Sequence, residues 1–437
     1  MTDFGIGLAS LGAMVVLIYV GLYVPIALML CSFVGVWLIK GSDVLAGKMM
    51  ALAAYNAIAN YFFGVVPLFV LMGFIVSAAG IGRDAYDVAN HAFRRLKGGL
   101  GLGTVGANAI FAAITGISIA SAAVFTRIAV PEMVRNGYTA RFSVGVVAGS
   151  SVLGMLIPPS LLLILYGILA EQSVGDLFIA GIVPGLLLAL FFGLGVIAMA
   201  HWMPNFIGRD LAGGDELALT AGELLIKGGP IFALIALVLG GIYGGLFTPI
   251  EAGAVGCAGA LVIGIAKRTL TWRGFWGVLN DTGLVTASIC FLIISAATYS
   301  RMLSLSGVPT GFGTWVATAD IGFWGVMLAY VVLVILMGTI LDSSSIMLIM
   351  VPLMLPVVKD MQVDLIWFGL VTVLAVEIGL LTPPFGISVY VIKSTLDDTS
   401  IRLGDIFRGA APFALMMLVV LALVLVFPVL AVGLLGH

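Results

Sequence analysis

Gly154-Met155-Leu156-Ile157-Pro158-Pro159 and Gly379-Leu380-Leu381-Thr382-Pro383-Pro384 are two versions of one phrase, GMLIPP and GLLTPP, one in each half of the chain. Each sits inside an apolar run long enough to cross a bilayer. A proline pair there breaks a helix, because it removes backbone donors and clashes with the preceding turn. Upstream of each lies a short stretch rich in small and hydroxyl residues: Thr115-Gly116-Ile117-Ser118-Ile119-Ala120-Ser121 and Gly338-Thr339-Ile340-Leu341-Asp342-Ser343-Ser344-Ser345. Gly116 precedes Gly154 by 38 residues and Gly338 precedes Gly379 by 41. A polar tip followed by a broken helix, written twice, predicts a membrane protein built from two repeats with its site between them.

Composition agrees with a membrane setting. Hydrophobic residues make up 62% of the chain and charged residues 9%, against about 25% charged in a soluble domain. Glycine accounts for 57 of 437 residues, as expected where helices pack closely in lipid. Mean hydropathy is +1.24. The first apolar run starts at once, without a basic leader or a small-residue cleavage site, so it is expected to be a retained span rather than a signal peptide.

Other chemistries find little support. Cys31, Cys257 and Cys290 are scattered in apolar runs and read as packing residues. His91, His201 and His437 show no zinc-ligand spacing. There is no basic block for nucleic acid, no Walker A sequence for ATP and no Gly-x-Ser-x-Gly elbow, so neither an enzyme nor a resident cofactor is expected.

Apolar runs predict spans at roughly 4–22, 25–39, 57–79, 142–169, 179–201, 229–246, 250–266, 279–300, 365–392 and 410–433. Two further segments are not ordinary crossings. Residues 98–126 are uncharged, too long for one straight span and too short for two. Arg83, Arg94, Arg95 and Lys97 precede them and Arg127, Arg135 and Arg141 follow. A crossing would place one of these basic clusters outside, against the positive-inside rule, so the segment is expected to be a re-entrant hairpin with its tip at 115–121. Residues 321–357 read as a second hairpin, from the opposite side, with its tip at 338–345.

With the N-terminus outside, the inner loops hold Arg83, Arg94, Arg95, Lys97, Arg127, Arg135, Arg141, Arg209, Lys227, Lys267, Arg268, Arg273, Lys393, Arg402 and Arg408. The outer loops hold only Lys40, Lys48, Arg301 and Lys359. This asymmetry places both termini outside and makes the hairpins enter from opposite faces, as an inverted repeat requires. The expected organisation is 1–56 as N-terminal scaffold spans, 57–201 as the first repeat, 202–278 as connector and scaffold, and 279–437 as the second repeat.

Hairpin tips and broken helices expose backbone groups at mid-membrane, where each costs several kcal/mol if unsatisfied. Helix N-termini there suit an anionic group, while carbonyls and hydroxyls suit a hard cation. Thr115, Ser118, Ser121, Thr339, Ser343, Ser344 and Ser345 supply uncharged oxygens at the tips, and Ser160 and Thr382 do so beside the proline pairs. Small hydroxyl residues also serve close helix packing, so any one of them is ambiguous. Asp342 stands in the second tip with no basic neighbour in sequence; a bound cation, a proton or a wet cavity would relieve it. Glu377, two residues before GLLTPP, poses the same question. Glu251, after Thr248-Pro249-Ile250, is expected at a helix N-terminus, where the dipole favours an acid. Pro67, Pro131, Pro352 and Pro356 are expected to kink or end helices, and Trp37, Trp202, Trp272 and Trp276 fit the membrane interface.

Together these stretches resemble the large membrane subunit of the TRAP transporters, the DctM-like family. The resembling residues are Pro67-Leu68-Phe69 with Gly73, Phe111 to Ser118, Pro131-Glu132-Met133 with Gly137-Tyr138, and Gly154 to Ser160. They continue through Gly241 to Ala252, Gly338 to Ser345, Trp367-Phe368-Gly369, Gly379 to Gly386, and Arg408-Gly409 with Pro412-Phe413. The chain departs from the family at Ile117, where a small hydroxyl residue is more common, at Glu132, where small residues are common, and at Ser388, often Asn.

The resemblance implies an all-α polytopic, inverted-repeat, elevator-type transporter with two re-entrant hairpins and two broken helices, in a bacterial inner membrane. It implies sodium ions as coupling ions, import of a small carboxylate, a small four-helix membrane subunit and a periplasmic substrate-binding protein. It places sodium around Gly116, Ser118, Ser121, Gly154 and Pro158 in one repeat and around Gly338, Thr339, Asp342, Gly379, Thr382 and Pro383 in the other. Substrate contacts are sought at Ser118, Ser121, Ser160, Ser343, Ser344, Ser345 and Ser388. A stand-alone sodium- or proton-coupled organic-anion carrier is the nearest alternative. An intramembrane enzyme lacks a nucleophile–base pair here, and a passive channel does not call for two opposed hairpins.

Overall fold

The computed structural model describes residues 2–435 apart from 60, 209–217, 319–321, 397 and 399. Arg209, Asp320 and His437 lie outside the described residues. An apolar chain in lipid must satisfy its backbone polar groups internally, and a run of helices does this without sheet edges. Among the described residues there is no strand; the one β-bridge joins Tyr138 and Gly208.

The first part of the chain forms α1 (Asp3–Tyr19), α2 (Val24–Lys40), α3 (Asp43–Ile58), α4 (Val65–Ala78) and α5 (Ile81–Phe93). Next come α6 (Gly99–Thr115), α7 (Ser118–Arg135), α8 (Ala140–Ser151), α9 (Leu153–Leu156), α10 (Leu161–Ala170) and α11 (Val174–Trp202). A short α12 (Pro204–Ile207), α13 (Ala221–Tyr243) and α14 (Pro249–Ala266) link the halves. The second half contains α15 (Trp272–Ser306), α16 (Val308–Thr318), α17 (Gly322–Gly338), α18 (Ser343–Asp360), α19 (Leu365–Leu381), α20 (Ile387–Thr395), α21 (Leu403–Val426) and α22 (Val429–Val432). Among the described residues seven helical segments, the broken α8–α10 counted as one, are long and apolar enough to cross a membrane. This is a multi-pass membrane protein.

The order of elements repeats. A helix followed by a short one (α4–α5, α15–α16) precedes a hairpin (α6–α7, α17–α18), a broken helix (α8–α10, α19–α20) and a long helix (α11, α21). Both expected hairpins and both broken helices are present. Residues 142–167 and 367–381 are buried without interruption, so the two broken helices form the centre of the molecule.

Three helices escape a reading based on span length. The expected loop at Lys40–Lys48 leads into α3, and α5 and α16 occupy segments read as loops; the third span begins at Val65 rather than 57. In α5 the reason is its amphipathic pattern. Ile81, Ala85, Tyr86 and Ala89 face inward, Arg83 is exposed and Asp84 and Asp87 are half-buried, so the segment is too polar to read as a crossing. It turns 68° from α4, the posture of an amphipathic helix at an interface. Pro131, Pro352 and Pro356 lie inside helices rather than ending them, which membrane helices tolerate when neighbours restore the lost bonds. Pro67 falls in the first turn of α4, where its missing N–H costs nothing. Trp37, Trp202, Trp272 and Trp276 are all exposed.

The segments that charge counting assigns to the inner face meet one another. Lys267 pairs with Asp84, Lys227 Nζ lies 2.6 Å from Asp87 Oδ2, and Arg141 Nη2 lies 3.1 Å from Asp405 Oδ1. The Leu219 amide donates to His91 Nδ1 at 2.8 Å.

Candidate functional site

The first hairpin turns at Gly116 and Ile117. Gly116 has φ +64°, a conformation that costs any residue bearing a Cβ. A Cβ there would also lie 2.2 Å from the Pro159 carbonyl oxygen. The tip is pinned to the break in the first broken helix: the Leu161 amide donates to the Gly116 carbonyl at 3.1 Å. Gly154 lets that helix close on the tip, since a Cβ there would sit 3.1 Å from Ile117 C and Ser118 N. Pro158–Pro159 is a cis peptide bond.

Most hydroxyls in this half are committed. Ser160 caps α10, accepting from the Leu163 amide at 3.2 Å and donating to the Met155 carbonyl at 2.5 Å. Thr115 donates to the Phe111 carbonyl at 2.9 Å. Ser121 donates to Asn108 Oδ1 at 2.5 Å, and Asn108 Nδ2 donates to Ser150 Oγ at 2.8 Å. This network ties both arms of the hairpin to α8. Asn108 and Ser150 were not singled out by sequence; their only signal is polarity within an apolar helix.

The second half repeats the plan with different contacts. Gly338 and Gly379 are where α17 and α19 touch, a Cβ on Gly338 meeting Gly379 Cα at 2.7 Å. The Thr339 carbonyl accepts from the Phe385 and Gly386 amides, both at 3.2 Å, so this tip too is held by the break in its broken helix. Pro383–Pro384 is also cis. Asp342 caps α18: its carboxylate accepts from the Ser345 amide at 3.1 Å and the Ser345 hydroxyl at 2.5 Å. Ser343 is buried and Ser344 half-buried in the first turn of α18. Thr339 and Thr382 donate to the carbonyls of Leu336 and Ile378. Glu251 occupies a helix N-terminus as expected, in a reciprocal capping arrangement with Thr248 at the start of α14.

Among the described residues, three polar side chains in this region are buried without a hydrogen-bond partner: both oxygens of Glu377 and the hydroxyls of Ser118 and Ser388. Glu377 lies near the end of α19, four residues before its last residue, Leu381, and is 1% exposed. Its carboxylate faces Ser118 without completing a hydrogen bond. Ser118 is the first residue of α7, whose N-cap, Ile117, offers no side-chain acceptor. Ser388 lies in the first turn of α20, which packs against α7. Thus the unsatisfied groups come from both halves of the chain and converge on the first hairpin. A buried ionised carboxylate without a partner costs several kcal/mol, so this arrangement is suited to a small positive charge. Among the described residues no three His, Cys, Asp or Glu side chains cluster; the unpartnered groups are hydroxyls and one carboxylate, hard oxygen ligands that do not suit a transition metal.

A family model described as "Tripartite ATP-independent periplasmic transporter, DctM component" matches residues 11–430. The chain belongs to this family. It is similar to the C4-dicarboxylate TRAP transporter large permease protein DctM of Pseudomonas aeruginosa, at 32% identity over 89% of each chain. It is also similar to the sialic acid TRAP transporter large permease protein SiaM of Vibrio cholerae, at 29% identity over 85% of this chain and 86% of that one. Among solved structures, the Neisseria gonorrhoeae MtrF efflux pump superposes with a TM-score of 0.62 at 11% identity, covering 88% of this chain and 85% of that chain, a likeness of fold alone. This TRAP large permease is therefore a transporter component and not an enzyme.

Proposed function

We propose that this TRAP large permease is the membrane subunit of a sodium-coupled, binding-protein-dependent secondary transporter that imports a small organic acid into a bacterium across its inner membrane. Two of its relatives carry the names of C4-dicarboxylate and sialic acid permeases, and both of those substrates are carboxylic acids. The tripartite description of the family supports two partners, a small four-helix membrane subunit and a periplasmic substrate-binding protein.

The observation that carries sodium coupling is the unpartnered Glu377 carboxylate facing Ser118 between the two halves. An ion entering there supplies the missing charge. Sodium is sought around Gly116, Ser118, Gly154 and Pro158 in one repeat, the side that Glu377 faces, and separately around Gly338, Thr339, Asp342, Gly379, Thr382 and Pro383 in the other. Ser118, Ser121, Ser160, Ser343, Ser344, Ser345 and Ser388 surround the substrate position. The repeats, 57–201 and 279–437, carry the tips and broken helices as a moving body against a scaffold of 1–56 and 202–278, an elevator mechanism. Each sodium ion moving down 100 mV supplies about 2.3 kcal/mol, and each substrate negative charge subtracts a similar amount, so more than one ion accompanies a dicarboxylate.

Uptake of a panel of labelled organic acids into proteoliposomes with an imposed sodium gradient tests this reading. Uptake that needs sodium, the small subunit and the binding protein supports it. Sodium-driven uptake by this chain alone would replace it with a stand-alone carrier.

A further inference from the structure

A second polar site lies away from the hairpin tips, in a cavity of about 490 Å³ between α5, α7 and α13. Its walls carry four cations, Arg83, Arg127, Arg135 and Lys227, against two carboxylates, Asp87 and Glu132. Both carboxylates are already engaged: Arg135 Nη2 lies 3.2 Å from Glu132 Oε1 and Lys227 Nζ lies 2.6 Å from Asp87 Oδ2. Arg83 and Arg127 are exposed and have no ion-pair partner among the described residues. The cavity therefore presents two unpaired guanidinium groups from two different helices.

Position narrows what fills it. The amphipathic α5 turns 68° from α4, and such helices lie at the headgroup level of a bilayer. The cavity belongs to the strongly basic face, where Lys267 meets Asp84 and Lys227 meets Asp87. Guanidinium forks match phosphate oxygens two at a time, and basic pockets between helices on the cytoplasmic side suit anionic lipid headgroups. We infer that this cavity binds the phosphate of an anionic phospholipid, with Arg83 and Arg127 as its principal ligands. The headgroup would bridge α5 to α7, the outgoing arm of the first hairpin.

Native mass spectrometry of the purified full chain, offered phosphatidylglycerol or phosphatidylcholine, tests the inference. Wild type is expected to retain phosphatidylglycerol preferentially, and Arg83→Gln with Arg127→Gln to weaken retention by roughly fivefold for each cation removed. Arg83→Lys with Arg127→Lys should keep much of the preference. Lys40→Gln with Lys48→Gln, the same loss of two charges at exposed positions of α2 and α3, should leave it intact. An excess of inorganic phosphate should not displace the lipid; displacement would overturn the lipid assignment in favour of a soluble phosphate. Equal retention of both lipids by wild type, or unchanged preference in the double glutamine variant, would overturn the site.

Discussion

The two hairpin–broken-helix pairs share a plan and differ in closure. In the first, residues 151–160 are all buried, and the proline pair lies under the tip. In the second, Pro383, Pro384 and Phe385 are exposed, as is Ile340 at the facing tip; Phe385 is 49% and Ile340 48% exposed. The first pair is locked by side chains, through Ser121, Asn108 and Ser150 and through Ser160. In the second, one side-chain bond, between Tyr330 and Thr372 at 2.9 Å, joins α17 to α19 away from the tip. The tip and the break are joined by backbone amides on the Thr339 carbonyl, and Asp342 bonds only within its own helix end. One repeated phrase thus gives a sealed half and an open half. Elements that move in a functional cycle come from the less buried end of a structure, which marks the second hairpin as the readier to open.

The largest effect is expected at Gly116. Gly116→Ala combines a positive φ with a Cβ 2.2 Å from the Pro159 oxygen, and should cost about 2–4 kcal/mol, read as a fall in the melting temperature of the detergent-solubilised protein and loss of uptake. A small change would show that the first half is not sealed. Asn108→Ala removes the link between Ser121 and Ser150 and should cost about 1–3 kcal/mol; hydrogen exchange should then rise in α6 and α7 but not in α17 and α18. Asp342→Ala deletes the cap of α18 and should cost about 1 kcal/mol in melting. Its sodium dependence should weaken by more than that stability loss explains, and an unchanged sodium curve would remove Asp342 from the ion site. Phe385→Ala, at an exposed position, should change stability by no more than about 0.5 kcal/mol. A larger loss would mean that the second half closes over this ring in the working protein.

Much of this architecture was legible in the sequence because it is written in backbone chemistry. The expected tips at 115–121 and 338–345 contain the observed helix breaks at Gly116–Ile117 and at 339–342, and the proline pairs break the helices that follow. Apolar length located the long spans for the same reason. The short helices α3, α5 and α16 were missed because a span-length window does not register them. The asymmetry between the halves was not legible either: GMLIPP and GLLTPP differ little, and their exposure is decided by what packs over them. In the sequence Glu377, like Asp342, was an acid without a basic neighbour to explain it. Only packing separates them, placing one at a helix cap with Ser345 and leaving the other buried against Ser118.

The most direct test of the account is a sodium titration of uptake in proteoliposomes containing all three components, comparing wild type with Glu377→Gln. Glutamine keeps the shape and removes the charge, so the account predicts a folded protein whose half-maximal sodium concentration rises by about tenfold or more, the equivalent of about 1.4 kcal/mol of lost ion binding. A folded Glu377→Gln protein with the wild-type sodium curve would contradict it.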